Sequence, residues 1–293
     1  MTLRNQQEIR VPCSSVAIPP MDVGAEVYGP CRDILLQHRL PTHEAKVIVV
    51  DSPLEMAKVG AQEVRALVNE NPQAVLGLAT GSTMQAFYAE LVKYFHAGTL
   101  SLNRVTTFNL DEYYPIGDGA QGSYRREMLT KFFQHVDLTL TPAEGARWGQ
   151  THVPSTNSEN IAQFCLAYEQ AIIRNGGINL QMLGIGRNGH IGFNEPGTSL
   201  WSRTRVVKLT QETREDNAVH FGSLELVPEY AITMGILTIL EAQKIVLMAC
   251  GEKKAEAVAA ALRMPYNPKV PASALQFHPN VTFVLDSAAA SRL

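Results

Sequence analysis

The chain is 293 residues long, 45% hydrophobic and 18% charged, with a formal net charge of -3. That apolar share can bury the core of one large α/β domain. With no lysine or arginine cluster the chain offers nucleic acid no basic footprint, so the expected partner is a small molecule. No segment approaches the ~20 apolar residues of a membrane span, and no basic start leads into an apolar run at the N-terminus, so the cytoplasm is the expected compartment.

Residues 1–45 carry prolines at 12, 19, 20, 30 and 41 and no sustained periodicity, and they read as an N-terminal extension to a domain over 46–293. From Lys46 the texture changes. "KVIVVD" is a β-branched run suited to a buried strand, and Ser52-Pro53-Leu54-Glu55 combines a capping box with proline at the first helical position, so a helix to about Asn69 follows. Further strands are expected at 74–79, 104–108, 180–185, 244–250 and 281–286, with helices at 84–96, 159–174 and 251–263. Strands alternating with helices imply an α/β domain, doubly wound, with a largely parallel sheet and helices on both faces.

Such sheets bind ligands beyond the carboxyl ends of their strands. Four strands run straight into unusual polar turns: Thr80-Gly81-Ser82-Thr83, Asn109-Leu110-Asp111-Glu112, Gly186-Arg187-Asn188-Gly189-His190 and Gly251-Glu252-Lys253-Lys254. The topology is expected to collect all four on one edge. "ATGSTM" suits an anion, most often phosphate, at a helix N-terminus, although an ordinary N-cap explains it as well. It lacks the spacing of a Walker loop. Lysines 253 and 254 at the start of a helix oppose its dipole, a conflict that a bound anion would remove, and only one of them is expected to face the cleft.

Asp111 and Glu112 point to opposite sides of an extended chain, so one can serve as a general base while the other caps or pairs elsewhere. His190, held between glycines with Glu195 five residues on, suits acid–base work. A metal site would need more ligands than this turn supplies. The four cysteines, Cys13, Cys31, Cys165 and Cys250, are scattered as free thiols of a reducing compartment would be, Cys250 closing an apolar strand as a small core residue. The terminal Ser-Arg-Leu resembles a variant of a peroxisomal address, a three-residue match of little weight.

Assembled, "TGST", "FNLDEYY", "SYRREMLTKFF", "GIGRNGHIGFNEPGTSLWSRTRVVKLTQETREDN", "ITMGILTIL" and "SALQFHPNVTFVLD" resemble the glucosamine-6-phosphate deaminase family from about Lys46 to the C-terminus. The resemblance implies an isomerase and hydrolase of amino-sugar metabolism. It would convert glucosamine 6-phosphate and water to fructose 6-phosphate and ammonia, with no cofactor and no metal. By matching position, Asp111 is the implied base at the substrate C2, His190 the catalyst of ring opening and Glu195 its orienting carboxylate. Gly81, Ser82 and Thr83, with Thr80 in the same turn, correspond to the phosphate loop, and Lys254 and Arg214 to its cationic partners.

The chain departs from the family pattern at Asn188, where the best-known members carry aspartate. It departs again at Val207, where an activator-binding lysine is expected beside Arg205, and the extended tail of the allosteric, hexameric members is absent. Hyperbolic kinetics are therefore expected, with the oligomeric state open. The rivals are an enzyme for another hexosamine 6-phosphate, a 6-phosphogluconolactonase-like hydrolase, and a non-catalytic sugar-phosphate sensor.

Overall fold

A computed structural model describes residues 6–13, 18–19, 44–117, 119–140, 150–156 and 158–293. Cys31 and most of the 1–45 segment lie outside the described residues. The main sheet has eight strands in the order β1-β2-β11-β10-β7-β3-β4-β6. These are β1 (Gln7–Pro12), β2 (Glu44–Val50), β3 (Val75–Leu78), β4 (Thr106–Asn109), β6 (Thr151–His152), β7 (Leu180–Leu183), β10 (Ile245–Ala249) and β11 (Val281–Asp286). The pairings between neighbours from β2 to β6 are all parallel. Only β1 runs antiparallel, along β2.

The helices follow the expected punctuation. Helix α1 (Pro53–Glu70) starts at Ser52, whose hydroxyl accepts the Glu55 N–H at 3.2 Å, while the Glu55 carboxylate reaches back to the Asp51 N–H at 3.2 Å. It lays Met56, Ala57, Val59, Ala61, Val64 and Val68 on the sheet. Helices α2 (Ser82–His96), α3 (Tyr124–Lys131), α4 (Ile161–Arg174), α5 (Gln211–Phe221), α6 (Ile236–Leu240) and α7 (Ala255–Arg263) complete the set among the described residues. None of the described helices is long and apolar enough to cross a membrane.

Four features differ from the sequence reading. Strand β1 runs within the stretch read as an extension without periodicity, where Ile9 and Val11 alternate with Glu8 and Arg10. Strand β6, two residues long, was not foreseen. The expected helix at 251–263 begins as a 3₁₀ turn, Glu252–Lys254, ahead of α7. A second, antiparallel sheet of order β5-β9-β8 was not foreseen: β5 (Asp111–Tyr114), β8 (Arg205–Lys208) and β9 (Tyr230–Thr233) are each four residues long. It has its own small core of Tyr113, Phe193, Leu209, Phe221, Val227 and Ala231.

The strand order creates the site. From β3 the chain moves outward to β4 and β6, then returns to the other side of β3 at β7 and proceeds to β10 and β11. The direction reverses between β3 and β7, the crevice where doubly wound sheets bind ligands. Asp286, at the end of β11, ties this edge together: buried, it accepts the Gly251 N–H at 3.0 Å and the Ala289 N–H at 2.8 Å. Replacing Asp286 by Ala leaves the buried Ala289 N–H and the half-buried Gly251 N–H without that acceptor, and should destabilise the fold by about 1–3 kcal/mol in urea unfolding. An unchanged midpoint and slope would contradict that role for Asp286.

Candidate active site

A cleft of about 430 Å³ opens at the β3/β7 crevice, a volume suited to a small ligand. All four sequence-selected turns reach it. Thr80, Gly81, Ser82 and Thr83 line it from the end of β3, Asp111 from β5, Arg187 and His190 from the turn after β7, and Lys253 and Lys254 from the turn after β10. The expectation that only one lysine faces the cleft is corrected here. Both lie in the 3₁₀ turn ahead of α7 and both contribute to the cleft wall, Lys254 half-buried and Lys253 exposed.

The adjacent carboxylates part as an extended backbone requires. Asp111 is buried and faces the cleft, its Oδ2 lying 3.3 Å from where a Cβ on Gly192 would sit. Any larger residue at 192 would crowd the carboxylate. Burial, then the charges of Glu112 and Glu127, hold the Asp111 proton affinity well above the usual carboxylate range. Glu112 turns the other way. It accepts the N–H groups of Tyr113 and Tyr124 at 2.9 Å, that of Arg125 at 2.8 Å and the Ser123 hydroxyl at 2.9 Å, so it serves as the anionic cap of α3. Burial raises its proton affinity, and those four donors oppose the rise.

His190 sits against Gly186, where a Cβ would fall 2.2 Å from the imidazole, so only glycine lets the ring lie there. Its Nδ1 is 2.8 Å from the Asn188 Oδ1 and 3.8 Å from the Glu195 carboxylate. The amide of Asn188 is oriented from both sides. Its Nδ2 donates to Glu195 at 3.1 Å, and its Oδ1 also accepts the His190 backbone N–H at 3.1 Å. An oxygen therefore faces Nδ1, which must carry the hydrogen and leave Nε2 as the basic nitrogen. Glu195 does not line the cleft, and it is held in turn by the hydroxyls of Thr210 at 3.1 Å and Thr213 at 2.5 Å. Burial, opposed by the Glu195 charge, lowers the proton affinity of His190.

Arg214, taken as a second cation of the site, is not in the cleft wall. Its guanidinium donates to the carbonyls of Leu224 at 3.2 Å and Val227 at 3.1 Å and so braces the loop after α5. The part of α5 that lines the cleft is Asp216, Asn217 and His220. Those three residues, with Tyr124 and Arg187, were not singled out. Arg187 was legible as a cation within the glycine turn. Its bidentate pairing with Asp216, at 2.7 and 3.0 Å, is a contact between distant segments that no local spacing announces. Lys254 keeps its amine beside this pair, with a proton affinity lowered by burial. Among the described residues no three His, Cys, Asp or Glu side chains cluster as metal ligands.

The comparisons agree with this geometry. The family described as glucosamine-6-phosphate isomerases/6-phosphogluconolactonase matches residues 51–284. A glucosamine-6-phosphate deaminase of Hahella chejuensis is 48% identical over 85% of this chain and 92% of its own. Another, of Rhodopirellula baltica, is 49% identical over 84% and 94%. Among solved structures, a monomeric glucosamine-6-phosphate deaminase superposes with a TM-score of 0.79 at 41% identity, covering 84% of this chain and 99% of that one. The 6-phosphogluconolactonase of Trypanosoma cruzi, 19% identical with a TM-score of 0.65 over 85% and 97%, shares the fold. The hydrolase class expected from the sequence is thereby overturned. The relatives at 45–48% identity carry the name of a deaminase, and the lactone hydrolase of this fold lies far off at 19%.

The buried base generates a stability prediction. The folded Asp111 binds its proton more tightly than the unfolded chain does at 3.8. Its favourable contribution is therefore complete below that pH and is lost as pH rises through the folded value. Asp111→Asn cannot ionise. It should melt at a higher temperature than the unaltered protein at neutral pH, with the gap closing toward pH 3.8. A lower melting temperature for Asp111→Asn at pH 7, in thermal scans across this range, would refute the assignment of a strained buried carboxylate.

Proposed function

Because the chain belongs to the glucosamine-6-phosphate isomerase/6-phosphogluconolactonase family, we propose that it deaminates glucosamine 6-phosphate to fructose 6-phosphate and ammonia. The observation that carries this reading is the meeting, in one cleft at the sheet's switch point, of an anion loop, a buried carboxylate and a histidine with a defined tautomer.

The phosphate is received by the free amides and hydroxyls of Ser82 and Thr83 at the N-terminus of α2, with Lys254 supplying the countercharge. His190, neutral at physiological pH because burial disfavours its cation, takes the C1 hydroxyl proton on Nε2 and returns a proton to the ring oxygen. The ring opens and C2 becomes acidic. Asp111 then removes the C2 proton, the electrons form a C1–C2 double bond and the C1 oxygen takes the proton that the C2 nitrogen gives up, and the proton held on Asp111 returns at C1 to leave an imine at C2. Water adds at C2 and ammonia departs, which balances the reaction. Asn188 carries no charge, and its amide relays Glu195 to His190 by hydrogen bonds, with the carboxylate acting at 3.8 Å.

Asp111→Asn keeps the shape and removes the base, so turnover should fall by at least about 10²-fold, the lower range for general acid–base groups, while a substrate analogue still binds. Lys254→Ala should raise KM for the sugar phosphate with a smaller effect on kcat. An ammonia-release assay over a panel of amino-sugar 6-phosphates checks both. Turnover near normal in Asp111→Asn, or equal use of phosphorylated and unphosphorylated glucosamine by the unaltered enzyme, would defeat the reading.

Regulation follows from the β8 segment. Val207 offers a phosphate neither charge nor hydrogen bond, and Arg205 is turned inward to the Asn194 Oδ1 at 3.0 Å and the Arg203 carbonyl at 3.2 Å. An effector acts only through differential affinity for two states. Substrate saturation should therefore be hyperbolic and unchanged by N-acetylglucosamine 6-phosphate, and sigmoidal curves relieved by that compound would disprove it.

A further inference from the structure

Glu127 lies one helical turn beyond the α3 N-terminus and belongs to none of the roles above. Its Oε1 accepts the backbone N–H of Gly81 in the anion loop at 3.3 Å. No lysine, arginine or histidine stands within ion-pair distance of it among the described residues. It walls a smaller cavity of about 200 Å³ that shares Tyr124 and His220 with the main cleft, and into which Arg126 and Lys131 also face. A half-buried carboxylate beside a phosphate loop needs a donor. The donor it meets is the Gly81 amide.

The helix that carries Glu127 is itself anchored on the base strand. Glu112, adjacent to Asp111, caps α3 through the Tyr124 and Arg125 amides and the Ser123 hydroxyl. Four residues further along α3, Glu127 reaches Gly81. The strand of the base, the helix and the phosphate loop are thus joined in series by hydrogen bonds.

We infer that Glu127 is a positioning residue of the reaction proposed above, the far end of a strut through α3 that fixes the phosphate loop relative to Asp111. The inference rests on that proposed function. With Gly81 N–H engaged on the α3 side, the amides of Ser82 and Thr83 remain for the substrate phosphate. The charge of Glu127 has a second effect, on the base. The groups facing Asp111 are Glu112 and Tyr113 from its own strand, Glu127 and Tyr124 from α3, Tyr88 from α2 and Tyr168 from α4. Burial is the main cause of the raised Asp111 proton affinity, and Glu112 and then Glu127 are the charges that add to it, since burial keeps the four phenols neutral.

Two variants separate the hydrogen bond from the charge. Glu127→Ala removes both, and should raise KM for glucosamine 6-phosphate about tenfold, the scale of one charged hydrogen bond. Glu127→Gln keeps an acceptor for Gly81 and should restore KM. It also removes the charge, so the acidic limb of the kcat/KM profile should move to lower pH. Circular dichroism on both confirms that each is folded. Unaltered KM in Glu127→Ala, or an unmoved acidic limb in Glu127→Gln, overturns the inference. So does a lower KM in both variants, which would mean that Glu127 competes with the phosphate. Ammonia release by the unaltered enzyme tests the proposed function separately, so failure of one is distinguishable from failure of the other.

Discussion

The Glu112 carboxylate accepts hydrogen bonds from three backbone amides and one hydroxyl in the interior, and the rest of the site is arranged around that arrangement. Four donors on two oxygens offset the burial of its charge and hold the N-terminus of α3 against β5. Strand alternation does the rest. With Glu112 committed to the helix side, Asp111 has to face the cleft, and the antiparallel pairing of β5 with β9 sets its depth. One peptide unit therefore couples a structural anion to a chemical one.

Asp111 and His190 are displaced in opposite directions by the same cause. Burial disfavours charge, so it raises the proton affinity of the Asp111 carboxylate and lowers that of the His190 imidazole. A stronger carboxylate base and a neutral imidazole at physiological pH are the forms that the proposed steps require. The price is instability, since a buried carboxylate that must ionise works against folding. The surrounding framework absorbs that strain through apolar packing and through buried carboxylates such as Asp286 that are fully engaged by N–H donors.

Asn188 shows how a neutral residue can occupy a place that might have held a charge. An aspartate there would stand against Glu195, already 3.1 Å from the amide nitrogen, and like charges at that distance repel strongly in the interior. The amide avoids this by offering a donor to Glu195 and an acceptor to His190. It fixes the tautomer with geometry and leaves the carboxylate to act from one residue further away.

Local sequence was sufficient for six of the seven parallel strands, the two-residue β6 excepted, for the capping of α1 and for the four polar turns that meet in the cleft, because each is written in short-range periodicity or in turn chemistry. The matching motifs added Glu195 and the reaction class, and they named Arg214, whose guanidinium here braces the loop after α5. The antiparallel sheet escaped notice because strands such as DEYY and RVVK mix charged with apolar residues and show no apolar run, and their pairing joins Asp111 to Thr233 across more than a hundred residues. The clasp of Arg187 on Asp216 and the reach of Glu127 to Gly81 are of the same kind. Chemistry that resides in one turn was legible from the chain. Which turns meet, and which face of each helix is presented to the cleft, was decided by packing, because those contacts exist only after distant segments have been brought together.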